Sequence, residues 1–325
     1  MKFLIAGLGS IGRRHLRNLG ACGQTDVLLL RSGRSTLPAG ELEGFPAVTD
    51  LGAALAWGPD AVIVSNPTAL HLDVAIPGAQ AGCHLLIEKP VSDSLDRVDD
   101  LRRAVEEGGS RVLVGFQFRF HPTLKRAKSL IDAGELGRTT SVSSHWGEYL
   151  PEWHPWEDYR VSYAARRDLG GGVLLTLCHP FDYLRWIFGE VEQAGGVAGH
   201  GLGLEVEALV DAALRFRSGV GASIHLDYLQ RPPEHSLEVV GETGRLQWDG
   251  RTGTLKVSVS PQGARQQYAP PEGFERNDMF LAEMKHFIDV AAGSAEPVCS
   301  LEDGIRVQEI LQQVRDATGR VGEGR

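Results

Sequence analysis

The chain is poor in the features that would tie it to a disulfide scaffold, a membrane or a nucleic acid. It has four cysteines in 325 residues, Cys22, Cys83, Cys178 and Cys299, and no CxxC pair. They read as small buried side chains in a reducing compartment, so a cytoplasmic location is expected. No apolar run reaches the ~20 residues that a membrane helix needs, and no membrane partner is expected. The opening stretch, "MKFLIAGLGSIGRRH", lacks the basic leader of a signal peptide and reads as a strand entering a turn. Positive charge is in deficit: Lys and Arg number 33 against 42 Asp and Glu, a net charge of −9. That balance excludes a nucleic-acid backbone as the main partner. An H-E-x-x-H motif is absent, and no metal is expected. A G-x-S-x-G elbow is absent too, which removes an α/β-hydrolase. Internal repeats and low-complexity segments are also lacking.

What is present is an ordinary globular balance, 42% hydrophobic and 23% charged, on a chain long enough for two domains. From residue 2 to about 120, short apolar runs (2–7, 26–31, 61–66, 84–89 and 111–120) alternate with helical spacing (11–20, 51–57, 69–82 and 94–108). Ser94 is the expected N-cap of the last of these helices. Continuous apolar strands separated by helices indicate a parallel sheet covered on both faces, the doubly wound nucleotide-binding architecture. After a helix over 122–132 the rhythm changes. Strands with polar/apolar alternation follow one another through residue 260, and two helices close the chain. The expected fold is an α/β Rossmann domain over 1–121 and an α+β domain over 122–325 with a large, mostly antiparallel sheet.

"GLGSIG" sets Gly7, Gly9 and Gly12 in G-x-G-x-x-G spacing after a strand and at the start of a helix, with Ser10 and Ile11 in the same turn. Glycines there permit close approach of a pyrophosphate to backbone N–H groups. The second strand ends in "LLLRSGRS", where an NAD site usually offers a carboxylate to the ribose. Arg31, Ser32 and Arg34 stand there instead. They suit a 2′-phosphate, so NADP(H) is the expected cofactor and NAD(H) the second choice.

"AVIVSNPTALHLDVA", "HLLIEKPVS", "VGFQFRFHP" and the glycine-rich helix "LGGGVLLTLCHPFDYLRW" resemble the family of glucose–fructose oxidoreductase, inositol 2-dehydrogenase and MocA over essentially the whole chain. The resemblance implies an active site between a Rossmann domain and a sheet domain whose open face often forms dimers or tetramers. It also implies that Lys89, of the Glu88-Lys89-Pro90 triplet, lies beside the nicotinamide and the reacting oxygen. An ammonium there can bond a developing alkoxide and pass a proton. In relatives this proline is often cis. Asn66, Thr68 and His71 match the family's cofactor-facing motif, with His71 equally readable as facing the following helix. His179 matches the family's catalytic histidine, and Asp182 an aspartate three residues on. The usual aspartate four residues earlier is Leu175, and the stretch from the glycines to His179 is one residue shorter than usual. Thr176, three residues before His179, is the expected neutral helper on the same helix face. Pro180 predicts a bend or a helix start near 176–180.

Substrate contacts are expected from Gln117, Arg119, Trp156, Arg160 and Asp182, within a polar and aromatic stretch that also holds Tyr149, Trp153, His154 and Tyr163. Aromatic faces stack on sugars, and guanidinium groups hold carboxylates or phosphates. An arm against a neighbouring subunit is an equal reading of that stretch. The expected activity is hydride transfer interconverting a secondary alcohol and a ketone on a sugar, polyol or sugar derivative. The expected assembly is a homodimer or homotetramer through the C-terminal sheet. The alternative is a dinucleotide-binding regulator of the same fold without turnover.

Overall fold

A computed structural model of the chain describes residues 1–33, 37–38, 40–260 and 265–320. The chain forms two compact units that do not follow a single cut. One comprises residues 1–117, 168–170 and 276–308; the other comprises 118–167, 171–275 and 309–325. Among the described residues no helix is long and apolar enough to cross a membrane.

The first unit is built on six strands: β1 (Phe3–Ala6), β2 (Val27–Leu30), β3 (Ala47–Val48), β4 (Ala61–Val64), β5 (His84–Glu88) and β6 (Val112–Gly115). They are parallel, in the order β3-β2-β1-β4-β5-β6. β1, β4 and β6 are buried at every position, which is why they read as unbroken apolar runs. Between the strands run α1 (Ser10–Ala21), α2 (Leu51–Ala56), α3 (His71–Gln80) and α4 (Val98–Gly108). The order reverses between β1 and β4, the switch point at which open α/β sheets bind ligands.

Two expectations give way here. α4 begins at Val98, not at 94: Ser94 Oγ accepts the N–H of Asp96 at 3.2 Å, and Arg97 takes a left-handed conformation with φ 62°. The serine makes a local turn that competes with the helix. β6 stops at Gly115, because the Phe116 N–H folds back on the Val114 carbonyl at 2.8 Å and residues 117–120 form a 3₁₀ turn.

The second unit holds an eight-stranded sheet made of β7 (Thr139–Tyr149), β8 (Val191–Gly199), β9 (Leu209–Phe216), β10 (Gly221–Asp227), β11 (Leu229–Gly241), β12 (Gly244–Asp249), β13 (Thr254–Val259) and β14 (Gln266–Tyr268). Its order is β14-β13-β12-β11-β7-β10-β9-β8, antiparallel except for the parallel pair β7/β10. Strict alternation of burial, as in β9, leaves one face packed and the other open. α5 (Pro122–Asp132), α6 (Val173–Thr176) and α7 (His179–Phe188) complete this unit. The break between α6 and α7 falls where Pro180 requires it, since the proline sits in the first turn of α7, where no N–H is needed.

α8 (Arg276–Ala291) and the first part of α9 (Leu301–Arg320) return to the first unit. α8 packs on β5, β6 and α1. Gly304 of α9 lies so close to Val91 and Val114 that a Cβ there would overlap both side chains. A domain running unbroken from 122 to 325 is therefore not how the contacts divide. The sheet of the first unit needs these late helices to cover β5 and β6.

Candidate active site

In the first unit the carboxyl ends of β1 and β4 meet. Gly7 follows β1 with φ +92°, and a Cβ on it would overlap the backbone of Ser65 and Asn66. Gly12 lies inside α1, where a Cβ would overlap the Gly7 carbonyl oxygen. Gly9 differs: no described atom lies within 4 Å of its Cβ position. It is the N-cap of α1 and has no side chain to offer the first N–H groups. Gly7 and Gly12 are thus spent on the close turn, and Gly9 keeps one side of it open. Exposed Ser10 begins α1, and half-buried Ile11 follows. At the same edge the Asn66 side-chain amide donates to the Leu70 carbonyl at 2.7 Å. Asn66 Oδ1 is buried without a hydrogen-bond partner among the described residues. The open helix N-terminus fits a bound dinucleotide phosphate, and the orphaned Asn66 oxygen, an acceptor, fits a hydroxyl or N–H donor of the same ligand.

The side of this turn that would face an adenosine ribose is less complete. Arg31 is half-buried and bonded to Val48 through its backbone, Ser32 is exposed, and Arg34 lies outside the described residues. Sequence reasoning missed Arg13. It is buried, bonds the carbonyls of Leu8, Leu37 and Pro38 at 3.1, 3.2 and 2.6 Å, and so ties the loop after β2 to α1.

Thr68 is buried in the turn that precedes α3. His71 is 1% exposed, with Nδ1 3.0 Å from the Pro90 carbonyl and Nε2 3.0 Å from that of Asn66. Burial pulls its pKa below the ordinary histidine value, although Glu88 and the backbone bonds oppose this. The ring bridges the loop after β4 and the loop after β5; in its neutral form it donates to only one of the two carbonyls.

Glu88 ends β5, and its side chain turns into the protein rather than toward the open turn. Oε1 lies 2.7 Å from His15 Nε2, and Oε2 accepts the Lys89 N–H at 3.3 Å. Burial works against its charge, but the hydrogen bond and charge of His15, with Lys89 beside it, hold the carboxyl below its usual range. Glu283 of α8 completes a buried trio with His15 and Glu88. Neither Glu283 oxygen has a hydrogen-bond partner among the described residues. Burial first, and then the Glu88 charge, push its pKa well above the carboxylate range. The lysine of the triplet is therefore carried on a strand end that a buried acid–imidazole cluster anchors from behind. Lys89 itself is half-buried, and its peptide to Pro90 is cis. No sequence spacing announces His15 or Glu283.

In the second unit His179 is the first residue of α7 and 3% exposed. Its ring stacks on Trp146 (centroids 5.5 Å, 26°) and meets Phe118 edge-on (5.0 Å, 71°). Around these lie His235, stacked on Trp146 at 4.1 Å, together with Tyr183 and Trp248. This aromatic wall comes from α5's approach, β7, β11, β12 and α7, and periodicity offered no sign of it.

Thr176 and His179 are not on one continuous helix, since α6 ends at Thr176 and α7 begins at His179. The i−3 spacing of one continuous helix therefore does not describe this pair. The Thr176 hydroxyl bonds back to the Gly172 carbonyl at 2.8 Å and makes a short bond with the Tyr228 hydroxyl. The glycines before α6 are each packed. A Cβ would meet Thr68 and Ala69 at Gly170, the carbonyls of 163, 164 and 166 at Gly171, and the Glu207 carboxyl at Gly172. Their use is close packing of the chain.

Arg119 and Asp182, two expected substrate contacts, pair with each other. Arg119 Nη2 reaches Asp182 Oδ1 at 2.7 Å, and Nε reaches both carboxyl oxygens at 3.1 Å. At 3% and 1% exposure this is a buried, bidentate ion pair that ties the turn before α5 to α7. Gln117, in the first unit, is buried. Trp156 is 59% exposed, and Arg160 lies over Tyr159 with Asp158 at 3.5 Å, so both are surface groups. Tyr149 carries the Arg231 guanidinium 3.5 Å above its ring, and Trp153 meets Tyr228 edge-on.

Comparison with known proteins follows the same division. Residues 1–116 match the model of an oxidoreductase family with an NAD-binding Rossmann fold, and 124–247 match the GFO/IDH/MocA C-terminal domain. A myo-inositol 2-dehydrogenase of Thermotoga maritima is 30% identical over 262 residues, 75% of this chain and 73% of that protein. A dTDP-3,4-didehydro-2,6-dideoxy-alpha-D-glucose 3-reductase of Actinomadura kijaniata is 27% identical over 84% of this chain and 80% of its own length. Among solved structures, a levoglucosan dehydrogenase in complex with NADH and levoglucosan shares the fold, with a TM-score of 0.88 at 19% identity, over 98% of this chain and 97% of that one.

Proposed function

The chain belongs to the GFO/IDH/MocA oxidoreductases and is an NAD(P)-dependent enzyme acting on CH–OH groups, and from that premise we propose that it interconverts a secondary alcohol and a ketone on a sugar, polyol or sugar derivative. The observation that carries this reading is the position of Lys89. It stands at the carboxyl end of β5, in the same sheet whose β1 and β4 ends form the glycine turn, where doubly wound sheets bind their ligands. The named relatives act on inositol and on a nucleotide-linked deoxysugar, which supports a polyhydroxylated substrate.

A nicotinamide dinucleotide bound at the turn would accept or supply the hydride. The N–H groups at the start of α1 would hold its phosphates, with Gly9 leaving the approach open. Arg31 and Ser32, with Arg34 in the same loop, favour NADP(H) over NAD(H), because a guanidinium and a hydroxyl answer a 2′-phosphate while no carboxylate answers a ribose hydroxyl. The Lys89 ammonium donates a hydrogen bond to the reacting oxygen and stabilises it as an alkoxide. His179 exchanges the hydroxyl proton, with its ring held in orientation by Trp146 and Phe118. Asp182 and Arg119 act through structure, fixing the start of α7 and hence His179. The open face of the eight-stranded sheet is proposed to pair subunits.

The test is an absorbance screen at the nicotinamide band with NADP(H) and NAD(H) against sugars, polyols and nucleotide sugars. Turnover with a secondary alcohol, or with the matching ketone, is the expected result. Cofactor binding without turnover across the panel overturns the reading, and a clear NAD(H) advantage in kcat/KM overturns the cofactor preference.

A further inference from the structure

The open face of the eight-stranded sheet carries a side-chain cluster that the oxidoreductase chemistry does not use. His145 of β7 is the register partner of His225 on β10, in the sheet's parallel strand pair. Their imidazoles stack with centroids 4.5 Å apart and 24° between planes. Asp227 lies two residues after His225, so alternation puts both on one face. One nitrogen of each imidazole and one Asp227 oxygen lie within 4.8 Å of one another.

We propose that His145, His225 and Asp227 form a binding site for a divalent transition-metal ion of the zinc type, completed when the His145 ring turns out of its stack on His225, with Gln230 supplying an amide oxygen at the same spot. Four observations carry this. His225 Nδ1 lies 2.7 Å from Asp211 Oδ1 on the neighbouring β9, while Nε2 faces Asp227 Oδ2 at 3.0 Å. A carboxylate on one ring nitrogen, orienting the other toward a ligand, is the arrangement that surrounds metal-bound histidines. The 3.0 Å separation is close to what two ligands of one tetrahedral ion require at bond lengths of about 2.0–2.1 Å. Asp227 is itself fixed, since its Oδ1 accepts the Leu229 N–H at 2.6 Å. Finally, Gln230 Oε1 and Asp227 Oδ2 fill the place that a Cβ on Gly147 would take. Two side-chain oxygens therefore converge over this glycine of β7, and Gln230 Oε1 also sits 2.5 Å from His145 Nε2.

Charge points the same way. The groups facing His225 are Asp211 on β9, Asp227 on β10, His145 on β7 and, through His145, the neutral Gln230 on β11. The Asp211 and Asp227 carboxylates balance a charge of two. Imidazole nitrogens select a zinc-type ion over magnesium or calcium, which prefer all-oxygen sites.

The test uses the full chain stripped of metal. Zn²⁺ is titrated calorimetrically near neutral pH, and Co²⁺ is used as an absorbance probe. Expected are one saturable site and a cobalt spectrum of low coordination number. His225→Ala should abolish that site. Asp211→Asn, on an exposed side chain that keeps the fold, should weaken it by about 10- to 100-fold. Glu283→Gln, in the other buried His/Glu cluster, should leave it unchanged. Absence of saturable binding overturns the proposal. So does equal affinity in wild type and in both Asp211→Asn and His225→Ala, or a site lost in Glu283→Gln.

Discussion

His179 and Lys89 differ from most polar residues of the chain in what holds them. His179 sits in an aromatic setting that fixes its ring, and Lys89 stands on a strand end anchored through Glu88 and His15. His179→Asn should therefore lower kcat by about 10²- to 10⁴-fold, as loss of a general acid–base group does, with a much smaller change in Tm. Steady-state kinetics beside a thermal melt checks this, and unchanged turnover refutes the role. The reverse pattern is expected at Asp182. Asp182→Ala leaves Arg119 charged and buried without its carboxylate, at a cost of about 3–5 kcal/mol measured by denaturant unfolding. Both candidates rest on short motifs that the sequence displays directly. The Arg119–Asp182 pair does not. Its members are 63 positions apart, and each alone looks like a group meant for a ligand. For Thr176 the helical spacing does not apply, because Pro180 divides the helix between it and the body of α7.

At the scale of elements, the turn from β1 into α1 separates two uses of glycine that the G-x-G-x-x-G pattern treats alike. Gly9→Ala adds a methyl where no described atom lies within 4 Å, so the fold should keep its Tm. Dinucleotide affinity should fall roughly tenfold, about 1.4 kcal/mol, because the methyl occupies the side of the turn left open. Gly12→Ala puts a Cβ onto the Gly7 carbonyl and should lose about 1–3 kcal/mol of stability as well as binding. Cofactor titration and melting of both variants distinguish a phosphate-facing glycine from a packing glycine; equal losses of Tm would contradict the assignment. The strands of the first sheet were readable because burial on both faces leaves unbroken apolar runs. β8, "VEQAGGVAG", was not. Gly196 answers close approach, a Cβ on it meeting the Asp211 carbonyl oxygen at 2.5 Å, and the glycines of this strand erase the alternation by which a strand is recognised.

Over the whole molecule, chain order and contact order part company, because α8 comes late in sequence yet covers the first sheet. No local pattern encodes such a return. It brings Glu283 against Glu88, and this has a consequence for stability against pH. The folded-state pKa of Glu283 lies well above that of an unfolded glutamate, so the folded chain holds a proton that the unfolded chain has released. Stability then falls as pH rises from the ordinary carboxylate range toward that raised value. His121, in the second unit, acts in the opposite sense: burial lowers its pKa from 6.5 to about 4. The unfolded chain takes up the proton first, and stability is lost as pH falls from about 6.5 to about 4. The two contributions oppose each other between the ordinary carboxylate range and about pH 6.5. Glu283→Gln keeps a neutral side chain of the same shape and should remove the loss of stability that sets in as pH rises above the ordinary carboxylate range. His121→Gln should remove the loss between about 6.5 and about 4. Denaturant unfolding of the three proteins between pH 4 and pH 9 measures both, and a Glu283→Gln profile parallel to wild type throughout would show that Glu283 is not held as the neutral acid.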